Sequence, residues 1–128
     1  YHYRSIGITP IKHINKLAPY SNDFIGLNYH SHSFIKFTWN IVSPLKLCIP
    51  YGSITTDATN ATIYPEGLYR ALKQLSILHL PIIITENGIA DSMDVRRHLF
   101  IRRHLYAVSK AIQDGIDIRG YYYWVRNN

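Results

Sequence analysis

Three apolar runs of this sequence each end in side chains that can take part in chemistry. An amide and an imidazole follow the first run, a carboxylate follows the second and an indole follows the third, at Asn28, His30, Glu86 and Trp124. A carboxylate at the end of an isoleucine-rich strand is costly to bury unless another group hydrogen-bonds it. Glu86 is therefore either part of a site or a solvent-facing residue just past a strand, and composition alone leaves both interpretations open.

The elements that must position these groups follow from the spacing of the apolar residues. The pattern predicts strands at residues 23–29, 82–85 and 121–125, separated by helices at residues 64–80 and 94–113. The segment 31–62 is rich in Ser, Thr, Asn and Pro and predicts a long connection. Within it, Phe34, Phe37 and Trp39 are expected to form a short strand or ribbon.

Both predicted helices have recognisable ends. Pro65 and Glu66 suit the first turn of the first helix, because an N–H has no intrahelical partner there and the dipole favours an acid. Pro81 is expected to end this helix, and Asp91 or Ser92 lies near the cap of the second. The expected apolar stripes are Leu68, Leu72, Leu75 and Leu78 in the first helix and Leu99, Leu105, Val108 and Ile112 in the second, which Gly115 terminates.

The alternation of strands and helices predicts a parallel sheet with right-handed crossovers. Residues 82–85 are β-branched and almost wholly apolar, so we expect this strand to be buried on both faces. In parallel α/β barrels, active sites form at the carboxyl ends of the strands. We therefore expect Asn28, His30, Glu86 and Trp124 to lie on the same face of the fold.

Charge and composition limit the kinds of partner. The net charge is +6, and a solvated helix face explains the densest basic cluster, Arg96, Arg97, Arg102 and Arg103, better than nucleic-acid binding does. The single cysteine, Cys48, fits a reducing compartment and predicts a cytoplasmic chain. The first residues do not resemble a signal peptide, and no apolar run reaches the roughly 20 residues that span a bilayer, so we expect no membrane partner.

Four segments in order resemble those of one enzyme family. Ile-Thr-Glu-Asn-Gly at 84–88 resembles the nucleophile motif of glycoside hydrolase family 1, and Asp-Phe-Ile-Gly-Leu-Asn-Tyr at 23–29 resembles its sixth barrel strand. Ile-Tyr-Pro-Glu-Gly-Leu-Tyr at 63–69 is similar to the start of its sixth helix, and Asp-Ile-Arg-Gly-Tyr-Tyr-Tyr-Trp at 117–124 is similar to its eighth strand. The ordered set is far more specific than any one of its members.

The resemblance implies an α/β fold, a partial (β/α)8 TIM barrel of approximately strands 6 to 8 with intervening helices. It makes residues 1–128 one carboxy-terminal portion without an internal boundary. It also implies retaining hydrolysis of a β-glycoside or oligosaccharide, with Glu86 as the nucleophile. Asn28 matches a polar residue near the nucleophile and Trp124 an aromatic residue of the sugar pocket, while His30 falls where the family usually has a Tyr that hydrogen-bonds the nucleophile.

The sequence departs from the family pattern at several points. Ala61-Thr62 stands where the family often has Trp, which affects contacts to the aglycone. After Trp124 the chain reads Val-Arg-Asn-Asn at 125–128 in place of residues that bind sugar hydroxyls, so we expect those contacts to be absent. The family's acid/base Glu lies in an Asn-Glu-Pro motif that this sequence lacks. Its only other Glu, Glu66, is explained by its place in the first turn of a helix.

Neither a cofactor nor a metal is implied. His30 and His32 are two residues apart and would share a strand face, but the sequence shows no third ligand for them.

Three functional hypotheses remain open. The first is a β-glucosidase-like portion of a family 1 hydrolase that carries the nucleophile but lacks the acid/base Glu, and is inactive as an isolated chain. The second is a catalytically inactive gene remnant, or one half of a split barrel whose partner is the missing amino-terminal part. The third is a basic nucleic-acid-binding module, supported only by the charge and the arginine cluster.

Overall fold

A computed structural model of the chain describes residues 21–49, 51, 53–55 and 62–124. In chain order these contain β1 (Ile25–Asn28), β2 (Phe34–Phe37), β3 (Leu45–Cys48), α1 (Pro65–Leu75), β4 (Ile82–Asn87), α2 (Arg97–Gln113) and β5 (Ile118–Tyr123). Ala61 and residues 125–128, at which the sequence predicts altered sugar contacts, lie outside the described residues.

Strands β1, β4 and β5 form one parallel sheet with β4 at its centre. Ile82 of β4 pairs with Ile25 on one side and with Ile118 on the other. The predicted parallel arrangement is confirmed, with one helix on each connection between paired strands. Within the described residues this sheet is open at both edges, so this part of the chain is an α/β unit and not a closed barrel. The assignment to barrel strands 6 to 8 and the single domain remain predictions.

The main core lies between this sheet and the two helices. Ile82 and Ile84 of β4 are fully buried in one cluster with Leu68 and Leu72 of α1 and Val108 of α2. Burial of an aliphatic side chain of this size contributes about 1.5–3 kcal/mol, so these contacts dominate the attachment of the helices to the sheet.

The opposite face of the sheet is open. Thr85 is exposed and Ile83 is only half-buried, because no described element covers this side of β4. The prediction that residues 82–85 are buried on both faces is therefore wrong. Gly26 and Gly120 lie on the same open face, beside the side chains of Thr85 and Ile83.

Helix α1 begins at Pro65, as the sequence predicts, but its α-helical part ends at Leu75. One 3-10 turn follows, and His79 then adopts a left-handed conformation with φ of 53°, which stops the helix before Pro81. Leu78 lies in that turn and is exposed, so its assignment to the buried stripe is wrong.

Helix α2 begins later than the predicted start at Asp94, because Asp94 has a φ of 53° that no α-helix can contain. Asp91 still lies near the start of the helix, as predicted. Its Oδ2 atom accepts hydrogen bonds from the backbone N–H groups of Arg96 and Arg97 at 2.6 and 3.1 Å. These two bonds supply acceptors for N–H groups that have no partner within the helix. Gly115 follows the helix with φ of 86° and terminates it, as expected.

The buried side of α2 differs from the predicted stripe. Leu105 and Ile112 are exposed, whereas Phe100, His104 and Ala111 are fully buried. His104 is polar and Ala111 is small, so neither contributes much to a hydrophobic pattern. The larger Leu105 and Ile112 therefore predicted the wrong side of the helix.

His104 is a buried imidazole within this core. Its ring stacks on Phe100 with the centroids 3.7 Å apart, and Nδ1 donates to the Phe100 carbonyl oxygen at 2.9 Å. A carbonyl oxygen only accepts, so Nδ1 carries the proton. The Nε2 atom is then a buried acceptor without a hydrogen-bond partner among the described residues. Burial lowers the pKa of His104 from 6.5 to about 4.

This imidazole predicts an acid-sensitive contribution to stability. Between pH 6.5 and about 4, the unfolded chain binds a proton at His104 that the folded chain does not bind. The free energy of unfolding therefore falls as the pH is lowered through this window, by about 3 kcal/mol in total, and is unaffected above it. Urea unfolding at a series of pH values should show a smaller acid loss in His104→Gln than in the wild type. Equal losses in the two proteins would contradict this assignment.

Strands β2 and β3 form a separate antiparallel hairpin. Its base contacts the rest of the molecule through aromatic rings, with the Phe34 and His32 centroids 5.9 and 4.8 Å from that of Tyr64. The ribbon predicted around Phe34 and Phe37 is confirmed, although Trp39 lies in the turn beyond the strand.

Candidate active site

The carboxyl ends of the three parallel strands bring Glu86, His30 and Trp124 together. Nε2 of His30 lies 3.0 Å from Oε2 of Glu86. The His30 ring meets the Trp124 ring at an interplanar angle of 72°, with the centroids 4.8 Å apart. The His30 and Glu86 side chains are 37% and 39% exposed, so a ligand can reach the pair from solvent.

A local irregularity of β4 directs Glu86 to this edge. Strict alternation would place it on the helix side together with Ile82 and Ile84. The ladder to β1 shifts register just before Asn28 pairs with Glu86, and the ladder to β5 shifts between Ile84 and Asn87. These shifts interrupt the alternation, so Asn87 is fully buried while Glu86 remains accessible.

Asn87 joins the three strand ends. Its buried Nδ2 donates to the Tyr29 carbonyl oxygen at 2.6 Å, and its Oδ1 accepts from the Tyr121 hydroxyl at 2.7 Å. Burial raises the pKa of Tyr121 to about 12, which keeps this hydroxyl protonated as a donor. Asn87 was not among the predicted site residues, although its position directly after Glu86 in the 84–88 motif was an available signal for a positioning role.

Both nitrogens of the His30 ring face acceptors. Nδ1 lies 3.2 Å from the Gly88 carbonyl oxygen, and Nε2 faces the Glu86 carboxylate. The Nε2 atom contacts only Oε2 of the Glu86 carboxylate, which orients that carboxylate and leaves Oε1 for another interaction.

Asn28 lies on the open face of the sheet and not in the Glu86 pair. Its Oδ1 accepts a hydrogen bond from the Thr85 hydroxyl at 2.5 Å. Among the described contacts, no hydrogen bond joins Asn28 to Glu86. The exposed Asn28 amide still has its two N–H donors, so this residue can contribute to ligand binding next to the carboxylate.

Gly88 allows the chain to approach Trp124 very closely. A Cβ atom built on Gly88 would lie 1.2 Å from the Trp124 carbonyl oxygen and 2.3 Å from its carbonyl carbon. The Trp124 N–H also donates to the Asn87 carbonyl oxygen at 3.1 Å. These backbone contacts hold the indole beside His30, and they require glycine at position 88.

The other predicted features lie elsewhere. The His32 ring contacts Phe34 and Tyr64 and not the Glu86 pair. Among residues 21–49, 51, 53–55 and 62–124, no group of three or more His, Cys, Asp or Glu side chains is placed to hold a metal ion.

The arginine cluster is divided between different contacts. Arg97 pairs with Asp94 and donates to the Tyr123 hydroxyl at 3.2 Å. Arg102 and Arg103 instead line a groove of about 950 Å³ between α1 and α2. The contacts of Arg97 thus differ from those of Arg102 and Arg103.

Comparison with known proteins defines the family. The chain matches the sequence model of glycosyl hydrolase family 1 over residues 12–126, and it belongs to this family. It is 31% identical to a β-galactosidase of Pyrococcus woesei in an alignment of 126 positions that covers 84% of this chain and 24% of that protein.

Solved structures of the same family share this fold. The chain is similar to a β-glycosidase from Pyrococcus horikoshii with a TM-score of 0.70 and 38% identity, over 96% of this chain and 28% of that one. For a family 1 β-glucosidase from Thermotoga maritima the TM-score is 0.68 and the identity 31%, over 80% of this chain and 25% of that one. The chain spans about a quarter of the length of these TIM-barrel relatives.

Within the part of the chain that the structure describes, no helix combines the length and the apolar character needed to cross a membrane.

Proposed function

We propose that this chain forms the nucleophile-bearing part of a retaining β-glycosidase site, with Glu86 as the nucleophile. The main support is the 3.0 Å contact between Glu86 and His30 at the carboxyl edge of a parallel sheet, beside the Trp124 ring. A carboxylate that is accessible, oriented by a donor and flanked by an aromatic ring suits attack on a sugar.

In the proposed reaction, Glu86 Oε1 attacks the anomeric carbon while the bond to the leaving oxygen breaks. The leaving oxygen takes a proton from a second carboxyl group, and a glycosyl ester forms on Glu86. Water, deprotonated by that second group, then attacks the same carbon and displaces Glu86. Two inversions give a product with the configuration of the substrate.

The neighbouring side chains have separate roles in this proposal. His30 holds Oε2 and orients the carboxylate, as the corresponding Tyr does in the family. The Trp124 indole offers an apolar face to the sugar ring. Asn28 and Thr85, on the open face of the sheet, provide hydrogen bonds to sugar hydroxyls.

The second carboxyl group comes from outside these 128 residues in this proposal. Glu66 is the only other Glu of the sequence, and it lies exposed in the first turn of α1, where the helix dipole accounts for it. We assign the acid/base role to the part of the family barrel that this chain does not span. That part is supplied either by the same polypeptide or by a separate partner that completes the barrel.

Complementation tests this proposal. The isolated chain should not hydrolyse a chromogenic aryl β-glucoside above the buffer rate. A fusion of the amino-terminal portion of the Pyrococcus horikoshii β-glycosidase with this chain, called the completed barrel below, should hydrolyse it and release a β-configured sugar by NMR. A matched Glu66→Gln fusion should keep this rate. A completed barrel that folds, judged by circular dichroism, and remains inactive would favour the gene-remnant hypothesis.

A further inference from the structure

Arg97, the first residue of α2, connects the loop between β4 and α2 (residues 88–96) to the end of β5. Its three guanidinium nitrogens donate to three different residues: Nε to Asp94 Oδ1, Nη1 to the Tyr123 hydroxyl at 3.2 Å and Nη2 to the Asp91 carbonyl oxygen at 3.2 Å. The side chain is only 17% exposed. These bonds and the low exposure therefore fix the guanidinium without any group from the rest of the family barrel.

The β4–α2 loop is one end of this connection. The buried Asp91 side chain accepts the backbone N–H of Arg97 through Oδ2 at 3.1 Å, and its backbone carbonyl accepts from the Arg97 side chain. Asp94 adopts the left-handed φ of 53°, and its carboxylate pairs with the same guanidinium. Arg97 is therefore joined to two loop residues, of which one is buried and the other is exposed.

Tyr123 is the other end of the connection. Its ring packs against a buried cluster, and its hydroxyl accepts the hydrogen bond from Arg97. The cluster consists of Ile63, Ile89 and Phe100. The guanidinium carbon of Arg97 also lies 5.9 Å from the centroid of the Tyr123 ring. Packing of the ring and the bond at its hydroxyl together hold the last residue of β5 against α2.

Trp124 follows Tyr123 directly, and its indole is 40% exposed. Its backbone N–H donates to the Asn87 carbonyl oxygen, and its ring meets the edge of the His30 ring. Within the described part of the chain, the indole N–H makes no hydrogen bond of its own. The direction of the indole therefore depends largely on the backbone that Tyr123 holds.

We propose that Arg97 is a positioning residue for the sugar pocket: it holds Tyr123, and through Tyr123 it sets the indole of Trp124. The inference rests on the proposed glycosidase function, because it assumes that the indole contacts the sugar ring. The His30 nitrogens face Glu86 and the Gly88 carbonyl, so loss of the Arg97 bonds leaves the carboxylate oriented. Arg97 thus affects sugar binding more than the attack by Glu86.

The shape of arginine suits this role. A planar guanidinium directs donors to several partners at once, whereas the lysine ammonium is a single point charge. Arg97→Lys therefore keeps the charge near Asp94 but loses the simultaneous bonds to Tyr123 and to the Asp91 carbonyl. Tyr123→Phe removes only the hydroxyl and leaves the ring packed. The two variants break the same connection from opposite ends.

Steady-state kinetics of the completed barrel test this proposal. Arg97→Lys and Tyr123→Phe should each raise KM for an aryl β-glucoside by about fivefold and change kcat by less than about twofold. Because both break one connection, the double variant should raise KM no further than the larger single effect. Arg119→Lys is the matched control on β5, where Arg119 pairs with Asp117 at the other end of the strand, and it should leave KM unchanged.

Fluorescence makes the result independent of activity. In the 128-residue chain with Trp39→Phe, Trp124 is the only tryptophan. Acrylamide should quench its fluorescence about twofold more strongly in the two positioning variants than in the Arg119→Lys control. Equal quenching overturns the proposal, and so does an active barrel in which KM is unchanged or kcat falls as much as KM rises. Stronger quenching together with an inactive barrel supports the positioning role and counts against the glycosidase function alone.

Discussion

Replacing Glu86 by Gln in the completed barrel should lower kcat for an aryl β-glucoside by at least about 10⁴-fold. The amide keeps the shape of the side chain but cannot attack the anomeric carbon, so no glycosyl ester forms. It can still accept a hydrogen bond from His30, so the circular dichroism spectrum and the unfolding midpoint should change little. Activity is measured as phenolate release under saturating substrate.

A smaller side chain distinguishes a nucleophile from a residue that only positions others. In Glu86→Gly, azide can occupy the vacated space and attack from the same face. A dinitrophenyl β-glucoside, whose leaving group needs no acid, should then give the α-glycosyl azide. Glu66→Gly is the control and should show no response to azide. A β-configured azide product, or no azide product from a correctly folded variant, would exclude Glu86 as the nucleophile.

The second large effect is expected at Gly88. In Gly88→Ala, the new methyl group would overlap the carbonyl group of Trp124, which is backbone and cannot rotate away. Either β5 moves at its carboxyl end or the strand pairing breaks, so the free energy of unfolding should fall by more than about 3 kcal/mol. Urea unfolding measures this loss. In a Trp39→Phe background, fluorescence additionally reports the displacement of Trp124.

Two other glycines provide graded controls for this substitution. A Cβ on Gly26 would meet the Thr85 side chain at 3.4 Å, an ordinary contact, so Gly26→Ala should be nearly neutral. Gly115 has φ of 86° with open space around it, so Gly115→Ala should lose only about 1 kcal/mol from backbone strain. Similar losses at all three positions would show that the close approach to Trp124 is unimportant.

The parallel arrangement of the three strands was predictable because it depends on long, strongly periodic segments. Ile82 and Ile84 lie in an apolar run that is flanked by helical patterns, and both are buried as such a run requires. The exposure of Thr85 was not predictable, because it depends on which elements cover the second face. The left-handed conformations of His79 and Asp94 set two helix boundaries, and although both residue types adopt this conformation more often than most, neither requires it.

Three of the residues that meet at the strand ends were predictable, but their geometry was not. Strand ends and motifs selected Glu86, His30 and Trp124, and the parallel sheet brings them together. The double register shift around Glu86 depends on pairing with both neighbouring strands, so no local pattern reveals it. For the same reason, the role of Asn87 as a link between three strand ends becomes visible only when all three strands are in place.

The central position of β4 also has a consequence for the order of folding. The connection from β4 to β5 through α2 is shorter than that from β1 to β4, which includes the hairpin and α1. Closing the shorter loop loses less chain entropy, and α2 already supplies Phe100, Val108 and Ala111 to the buried core. We therefore expect β4, α2 and β5 to assemble first and β1 to dock afterwards. On this pathway the contact between Glu86 and His30 is among the last to form.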